Sequence, residues 1–119
     1  MGAAFEVYKV LGYGLSEEIY QEALEVELDL RGIPYSSKAE LRVYYKDRKL
    51  NKKYVPDLFV YNEIISELKA VKQILPDHEK QLLNYMHITK KAVGYLINFG
   101  AKESLEWKRY ILNEYIPHH

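Results

Sequence analysis

The sequence predicts an α/β domain whose elements follow the order α-α-β-β-β-α-β, with a final short strand. Two patterns support this class: apolar residues recur at helical spacing near the start of the chain and again around residues 77–90, and they alternate with period two in several segments between and after these. The first three strands are predicted to form an antiparallel meander, and the later helix crosses over to a strand beside it. With 119 residues, we expect one domain spanning 1–119.

Two helices are predicted before the first strand. Residues 3–11 carry apolar side chains at helical spacing, and Gly12-Tyr13-Gly14 ends this helix. The second helix runs from about Ser16, a suitable N-cap, to Arg31. Its predicted core stripe consists of Leu15, Ile19, Ala23, Val26 and Leu30. Its predicted solvated acidic face consists of Glu18, Glu22, Glu25 and Asp29.

The predicted strands begin with Leu41 to Tyr45, where apolar positions alternate with Arg42 and Tyr44. A polar turn leads into a long second strand from about Leu50 to Val60. This hairpin carries a basic cluster of Lys46, Arg48, Lys49, Lys52 and Lys53. We slightly favour ordinary solubilising charge for the cluster; the alternative is a rim that contacts phosphates.

After the central strands, a helix is predicted from Pro76 to about Lys90, with Asp77 as its cap. A buried strand follows over residues 92–99, in which Gly94 would let the preceding helix approach closely. Residues 106–112 are predicted to form a final edge strand. We interpret His118-His119 as a tag remnant and exclude it from metal arguments.

The central hairpin is predicted to bring three charged side chains together. A turn centred on Asn62, which tolerates positive φ, places Asp57 directly opposite Glu67. Lys69 lies two residues beyond Glu67 and therefore points to the same face. This prediction depends on turn length, because a shift of one residue would put the two carboxylates on opposite faces. The other face is predicted to be core: Leu58, Val60, Ile64, Ser66 and Leu68.

Two neighbouring carboxylates repel each other, so that one is protonated or a cation lies between them. A hard cation such as Mg²⁺ suits two carboxylates, waters and a substrate phosphate. The charge of Lys69 can orient or deprotonate a water, which outlines a site for phosphodiester hydrolysis. An ion-pair cluster of Asp57, Lys69 and Glu67 on a solvated sheet face is an equally weighted alternative.

Two motifs carry a family resemblance. Pro56-Asp57 followed by Glu67-Leu68-Lys69 resembles the PD-(D/E)xK nuclease superfamily. The segment from Gly14 through Glu17 to Tyr20 resembles the signature of its small bacterial and archaeal GxxExxY branch. Together the similarity runs from Gly2 to Phe99. It implies a restriction-endonuclease-like αβββαβ core with an extra N-terminal helix.

The resemblance also implies a nuclease that uses Mg²⁺ or Mn²⁺ and acts on nucleic acid, with DNA favoured. It implies metal ligands in Asp57, Glu67, the backbone carbonyl of Leu68 and, from the first core helix, Glu17. For Glu17 the alternative is a glutamate that complements the helix dipole.

Three further roles follow from the same resemblance. Lys69 positions or activates the water. Gln81 and Tyr85, four residues apart on one helix face, orient Lys69 or bind the DNA backbone. A packed tyrosine with a neighbouring glutamine is about as well supported by the pattern alone.

Composition limits the partners. Lys and Arg together number 17, as do Asp and Glu, so nucleic acid must be held by a local patch or through metal ions. The sequence has no cysteine, no apolar run long enough to span a membrane and no visible signal peptide, so we expect a cytoplasmic protein without membrane contact.

Two alternatives to a nuclease remain. One is a non-catalytic nuclease-fold module that binds nucleic acid or a protein partner, which neutral charge and small size favour. The other, weaker alternative is hydrolysis of a small nucleotide. A homodimer is also expected as an option, because a small nuclease that cuts a duplex needs two sites.

Overall fold

A computed structural model describes residues 1–117, so the interpretation of His118-His119 lies outside the described residues. The elements in chain order are α1 Gly2–Leu11, α2 Glu17–Leu30, β1 Tyr35–Ser36, β2 Leu41–Tyr45, β3 Arg48–Tyr54, β4 Leu58–Val60, β5 Ile64–Lys69, α3 Pro76–Thr89, β6 Val93–Asn98 and β7 Glu106–Ile111, followed by a 3₁₀ turn at Asn113–Tyr115. None of the helices within 1–117 is long and apolar enough to cross a membrane.

The main sheet has the strand order β1-β4-β5-β6-β7. Strands β5 and β6 are parallel and are joined through α3, while the other neighbours are antiparallel. The chain therefore folds as a mixed α/β protein, as predicted. Its core follows the order α2-β1-β4-β5-α3-β6, with α1 as an extra N-terminal helix.

The predicted three-stranded meander is wrong in one respect. The long strand from Leu50 to Val60 is broken at Val55–Asp57 into β3 and β4, because Pro56 has no N–H to donate to a ladder. Strand β3 pairs with β2 in a separate sheet. The neighbour of β4 is instead β1, with Tyr35 opposite Val60; this two-residue strand was not predicted because it is too short to show alternation.

The predicted core stripe of α2 is also wrong. The residues of α2 that pack into the core are Tyr20, Leu24 and Leu28, whereas Leu15, Ile19, Val26 and Leu30 are exposed and Ala23 is partly buried. Tyr20 explains the orientation of the helix. Its ring stacks on Phe99 with centroids 4.8 Å apart, and its hydroxyl donates to the carbonyl of Gly12 at 2.5 Å.

Both faces of the sheet are covered. The face that carries Leu58 and Leu68, predicted as core, packs against α1 and α2. The opposite face, which carries Phe59 and Ile65, packs under α3 and the β2–β3 hairpin. Because this second face also bears the predicted site, the site lies beside a covered surface and not on an open sheet.

Helix α3 begins one residue earlier than its predicted cap. Leu75 is the N-cap residue, its N–H donates to His78 Nδ1 at 3.0 Å, and Pro76 occupies the first turn, so the prediction of Asp77 as the cap is wrong. The predicted close approach at Gly94 is confirmed, because a Cβ there would lie 2.6 Å from Met86 Sδ of α3.

Candidate active site

The β4–β5 hairpin has the predicted register. Its ladder pairs Leu58 with Ser66 and Val60 with Ile64, so the turn is centred on Asn62. Tyr61 and Asn62 take φ values of 56° and 57°, which match the left-handed conformations of a tight hairpin turn. Continuing this register by one step places Asp57, which directly precedes β4, opposite Glu67.

Asp57 and Glu67 are held at the same point of the sheet. The N–H of Leu68 donates to Asp57 Oδ2 at 2.7 Å, and the N–H of Asp57 lies 3.4 Å from Glu67 Oε1. From the other side, Gln21 Nε2 of α2 donates to the Asp57 carbonyl at 2.8 Å. The two carboxylates are therefore fixed next to each other and not splayed to opposite faces.

Tyr54, at the end of β3, supports Glu67 and was not predicted as a site residue. Its hydroxyl donates to Glu67 Oε1, and its ring stacks on Tyr85 of α3 with centroids 3.9 Å apart and planes 12° from parallel. Burial, followed by the charge of Glu67, raises the pKa of Tyr54, so the hydroxyl stays a donor. Tyr54 thus links the central hairpin to α3.

The carboxylate pair is electrostatically strained. Burial, and secondly the neighbouring charge of Asp57, raises the pKa of Glu67 to about 7, although the hydrogen bonds from Tyr54 and from the Asp57 N–H oppose this rise. Two oxygen-rich groups whose charges repel each other are a donor set that a hard divalent cation would relieve. The residues present therefore fit a Mg²⁺ or Mn²⁺ ion.

An open cleft of about 560 Å³ lies between α3 and the β2–β3 hairpin. Its walls include Glu67, Tyr54, both members of the predicted Gln81–Tyr85 pair, and two basic residues, Lys52 and Lys53. The other members of the predicted basic cluster, Lys46, Arg48 and Lys49, are exposed on the same hairpin. A separate cavity of about 260 Å³ between α1, α2 and the sheet contains neither Asp57 nor Glu67.

Two predicted site residues, Lys69 and Glu17, are not among the residues that line this cleft. Lys69 ends β5, on the face of Glu67 and opposite Asn98 of β6. Glu17 is the first residue of α2 and is exposed. Within the described part of the chain, no three His, Asp or Glu side chains form a ready metal cluster, so Glu17 does not complete one with the carboxylate pair.

The motif around Glu17 also has a clear structural use. Gly14 adopts a φ of 103°, which glycine tolerates far better than other residues. Tyr20, at the other end of the motif, is fully buried. The contact of Gln21 with Asp57 was not predicted. Gln21 lies one helical turn after Glu17, so the two side chains are neighbours on the helix surface, and this spacing is the signal that would have pointed to Gln21.

The chain has an αβββαβ core, and a hairpin joins its Pro-Asp motif to its Glu-x-Lys motif. These features define a protein of the nuclease-like α/β class. A family model described as the PD-(D/E)XK nuclease superfamily matches residues 1–110. The chain belongs to this superfamily, which confirms the predicted superfamily and fold class.

A solved structure supports this fold. The chain is similar to the crystal structure of SSO0001, with 18% identity and a TM-score of 0.61 over 82% of this chain and 52% of that one. It spans about half the length of that protein. A second similar structure is an alkaline exonuclease, LHK-Exo, from Laribacter hongkongensis, with 12% identity, a TM-score of 0.49, and coverage of 93% of this chain and 77% of that one. No curated protein sequence matches the chain.

Proposed function

We propose that this protein is a nuclease of the GxxExxY branch that uses Mg²⁺ or Mn²⁺ to hydrolyse phosphodiester bonds of nucleic acid, with DNA as the favoured substrate. One observation carries the proposal: Asp57 is held next to Glu67, which lines the cleft, and burial, followed by the charge of Asp57, raises the pKa of Glu67 to about 7. Such an arrangement gains stability when a cation is bound.

Asp57 and Glu67 are the proposed principal ligands, with the carbonyl of Leu68 as a further ligand; Glu17, which forms no cluster with this pair, is left out of the proposed ligand set. When bound, the metal supplies a Lewis acid that polarises a phosphoryl oxygen and lowers the pKa of water. Glu67 must release its proton to act as a ligand, so metal affinity should fall below about pH 7. Tyr54 holds Glu67 Oε1 and thereby orients the carboxylate.

The remaining proposed site residues act on the substrate and the water. The Lys69 ammonium positions or activates the attacking water, since it follows Glu67 on the same strand face. Gln81 and Tyr85 contact the nucleic-acid backbone or orient Lys69, and Lys52 and Lys53 contact phosphates at the rim of the cleft.

The test is a cleavage assay with Asp57→Ala and, as a matched control, Asp47→Ala, which removes an exposed carboxylate from the β2–β3 turn. Single- and double-stranded DNA and RNA are incubated with Mg²⁺, Mn²⁺ or EDTA. We expect Asp57→Ala to lose at least about a hundredfold in rate, because removing a metal ligand costs several kcal/mol of transition-state stabilisation. The control should cleave like the unmodified protein.

Circular dichroism of both variants shows whether the fold is intact. Metal-dependent cleavage that survives in folded Asp57→Ala protein would overturn the assignment.

A non-catalytic binding module for nucleic acid or a protein partner is the second candidate. It is supported by the hydrogen bonds that already engage Glu67 Oε1, because a carboxylate satisfied by Tyr54 and the Asp57 N–H can serve a structural purpose. This alternative predicts nucleic-acid binding that is equal in Mg²⁺ and EDTA, with no cleavage by the unmodified protein.

Two further features belong to the proposal. The protein would act in the cytoplasm, since its cysteine-free sequence suits a reducing compartment. It would act on duplex substrates as a homodimer, since cutting both strands needs two sites.

A further inference from the structure

Helix α2 carries a second apolar stripe that no element of residues 1–117 covers. The exposed fractions are 39% for Leu15, 48% for Ile19, 53% for Val26 and 76% for Leu30. With Ala23 between them, these residues follow one another at intervals of three or four, so those from Ile19 to Leu30 form one row along the helix, and Leu15 lies two residues before the first residue of the helix. We call these residues, Leu15 to Leu30, the outer stripe.

The outer stripe is distinct from the buried side of α2. At about 100° per residue, its centre lies roughly 140° around the helix from the row of Tyr20, Leu24 and Leu28 that packs on the sheet. From Ile19 to Leu30, the outer stripe covers about 17 Å of the helix at 1.5 Å per residue. That length offers about three turns of contact to another helix.

The outer stripe is bordered by negative charge. The row beside it, which we call the acidic row, consists of Glu18, Glu22, Glu25 and Asp29. Helix α2 contains no lysine or arginine. On the other border lies Glu27, whose carboxylate pairs with Arg31 at 2.8 Å.

These charges indicate which kind of partner would bind the outer stripe. In an antiparallel pair of two copies, the acidic rows would face each other, and in a parallel pair the acidic row would face the border that holds Glu27. An anionic lipid surface or a nucleic-acid backbone would be repelled by the same row. A partner with the opposite charge gains from both the apolar contact and the acidic row.

We propose that the outer stripe docks an amphipathic helix of a partner protein whose own apolar stripe is flanked by lysine or arginine. Such a helix would lie along α2 as in other helix-to-helix recognition. The inference does not depend on the proposed nuclease activity, because α2 packs on the sheet face opposite the cleft.

The test uses two synthetic fluorescent peptides with the same leucine stripe, one flanked by lysine and one by glutamate, and measures fluorescence anisotropy. We expect the lysine peptide alone to bind the unmodified protein. The double variant Val26→Asp with Leu30→Asp should bind it at least about tenfold more weakly, because it removes the two most exposed apolar contacts of the outer stripe. Tyr45→Asp, at an exposed position on the distant β2–β3 hairpin, should bind like the unmodified protein.

Thermal unfolding checks that each variant is folded, which is expected because the altered side chains are on the surface. Three results would overturn the proposal: no binding of the lysine peptide, equal binding of both peptides, or equal binding of the lysine peptide by the double variant and the unmodified protein. The last result would show that charge alone drives binding. A dimer in sedimentation velocity that Val26→Asp dissociates would assign the outer stripe to a second copy and would also overturn it.

Discussion

At the residue scale, the pairing of Asp57 with Glu67 could be predicted because one residue, Asn62, sets the register of the hairpin. Asn62 accepts a φ of 57°, so a turn centred there sets the register that places Asp57 opposite Glu67. Tyr54 and Gln21 could not be predicted in the same way. Each reaches the pair from a different element, and no local pattern distinguishes Tyr54 from the other eleven tyrosines of the chain.

The strain on Glu67 predicts a dependence of stability on pH. The pKa of Glu67 rises from 4.5 to about 7 on folding, so the folded protein keeps a proton that the unfolded chain releases in this range. The associated stability is present below about pH 4.5 and is lost as the pH rises to about 7. Glu67→Gln removes this loss, so its free energy of unfolding relative to the unmodified protein should rise by a few kcal/mol between pH 4.5 and pH 8.

Urea unfolding in EDTA across this pH range measures the difference. Glu63→Gln is the matched control, because Glu63 is exposed at the turn of the same hairpin, and it should follow the unmodified protein. Parallel curves for Glu67→Gln and the unmodified protein would show that Glu67 is not strained.

At the element scale, long periodic segments were predicted well and their packing was not. The bounds of α1, α3 and β6 differ from the predicted ones by at most one residue at each end. Helix α2 was also placed correctly, but the wrong side was predicted to be buried, because its two apolar stripes are similar in sequence and the stacking of Tyr20 on Phe99 is not visible in a local pattern. The long strand is broken at Pro56, and the pairing of β4 with β1 was missed because local alternation does not reveal it.

The segment after Lys69 depends on a close contact that can be tested. Asn98 holds it in place, since its side chain accepts from the N–H of Val71 at 2.9 Å and donates to the Val71 carbonyl at 2.9 Å. A Cβ at Gly100 would lie 2.4 Å from the backbone nitrogen and oxygen of Val71, so the backbone itself would have to shift. We expect Gly100→Ala to destabilise the protein by about 1–3 kcal/mol in urea unfolding.

Gly94→Ala is the matched comparison, because its Cβ would meet the flexible side chain of Met86 in place of backbone. It should cost less than Gly100→Ala. The opposite order would contradict the account of how the end of β5 is held.

At the scale of the whole molecule, the sheet separates two surfaces. Helices α1 and α2 cover one face, and the outer stripe of α2 lies beyond them; α3 and the β2–β3 hairpin cover the other face and frame the cleft. The carboxylate pair lies between these layers, at the end of the β4–β5 hairpin that is away from its turn. Gln21 reaches it from α2, and Tyr54 and Tyr85 reach the cleft from the opposite side.

Titration calorimetry of Mn²⁺ into metal-free protein tests the central claim, that Asp57 and Glu67 share one divalent cation. It compares the unmodified protein with Glu67→Gln and Glu63→Gln at about pH 8, above the raised pKa of Glu67. We expect the unmodified protein and Glu63→Gln to bind Mn²⁺ equally, and Glu67→Gln to bind at least about tenfold more weakly, as when a metal site loses an essential group. Equal Mn²⁺ binding by Glu67→Gln, or no binding by the unmodified protein, would contradict the claim.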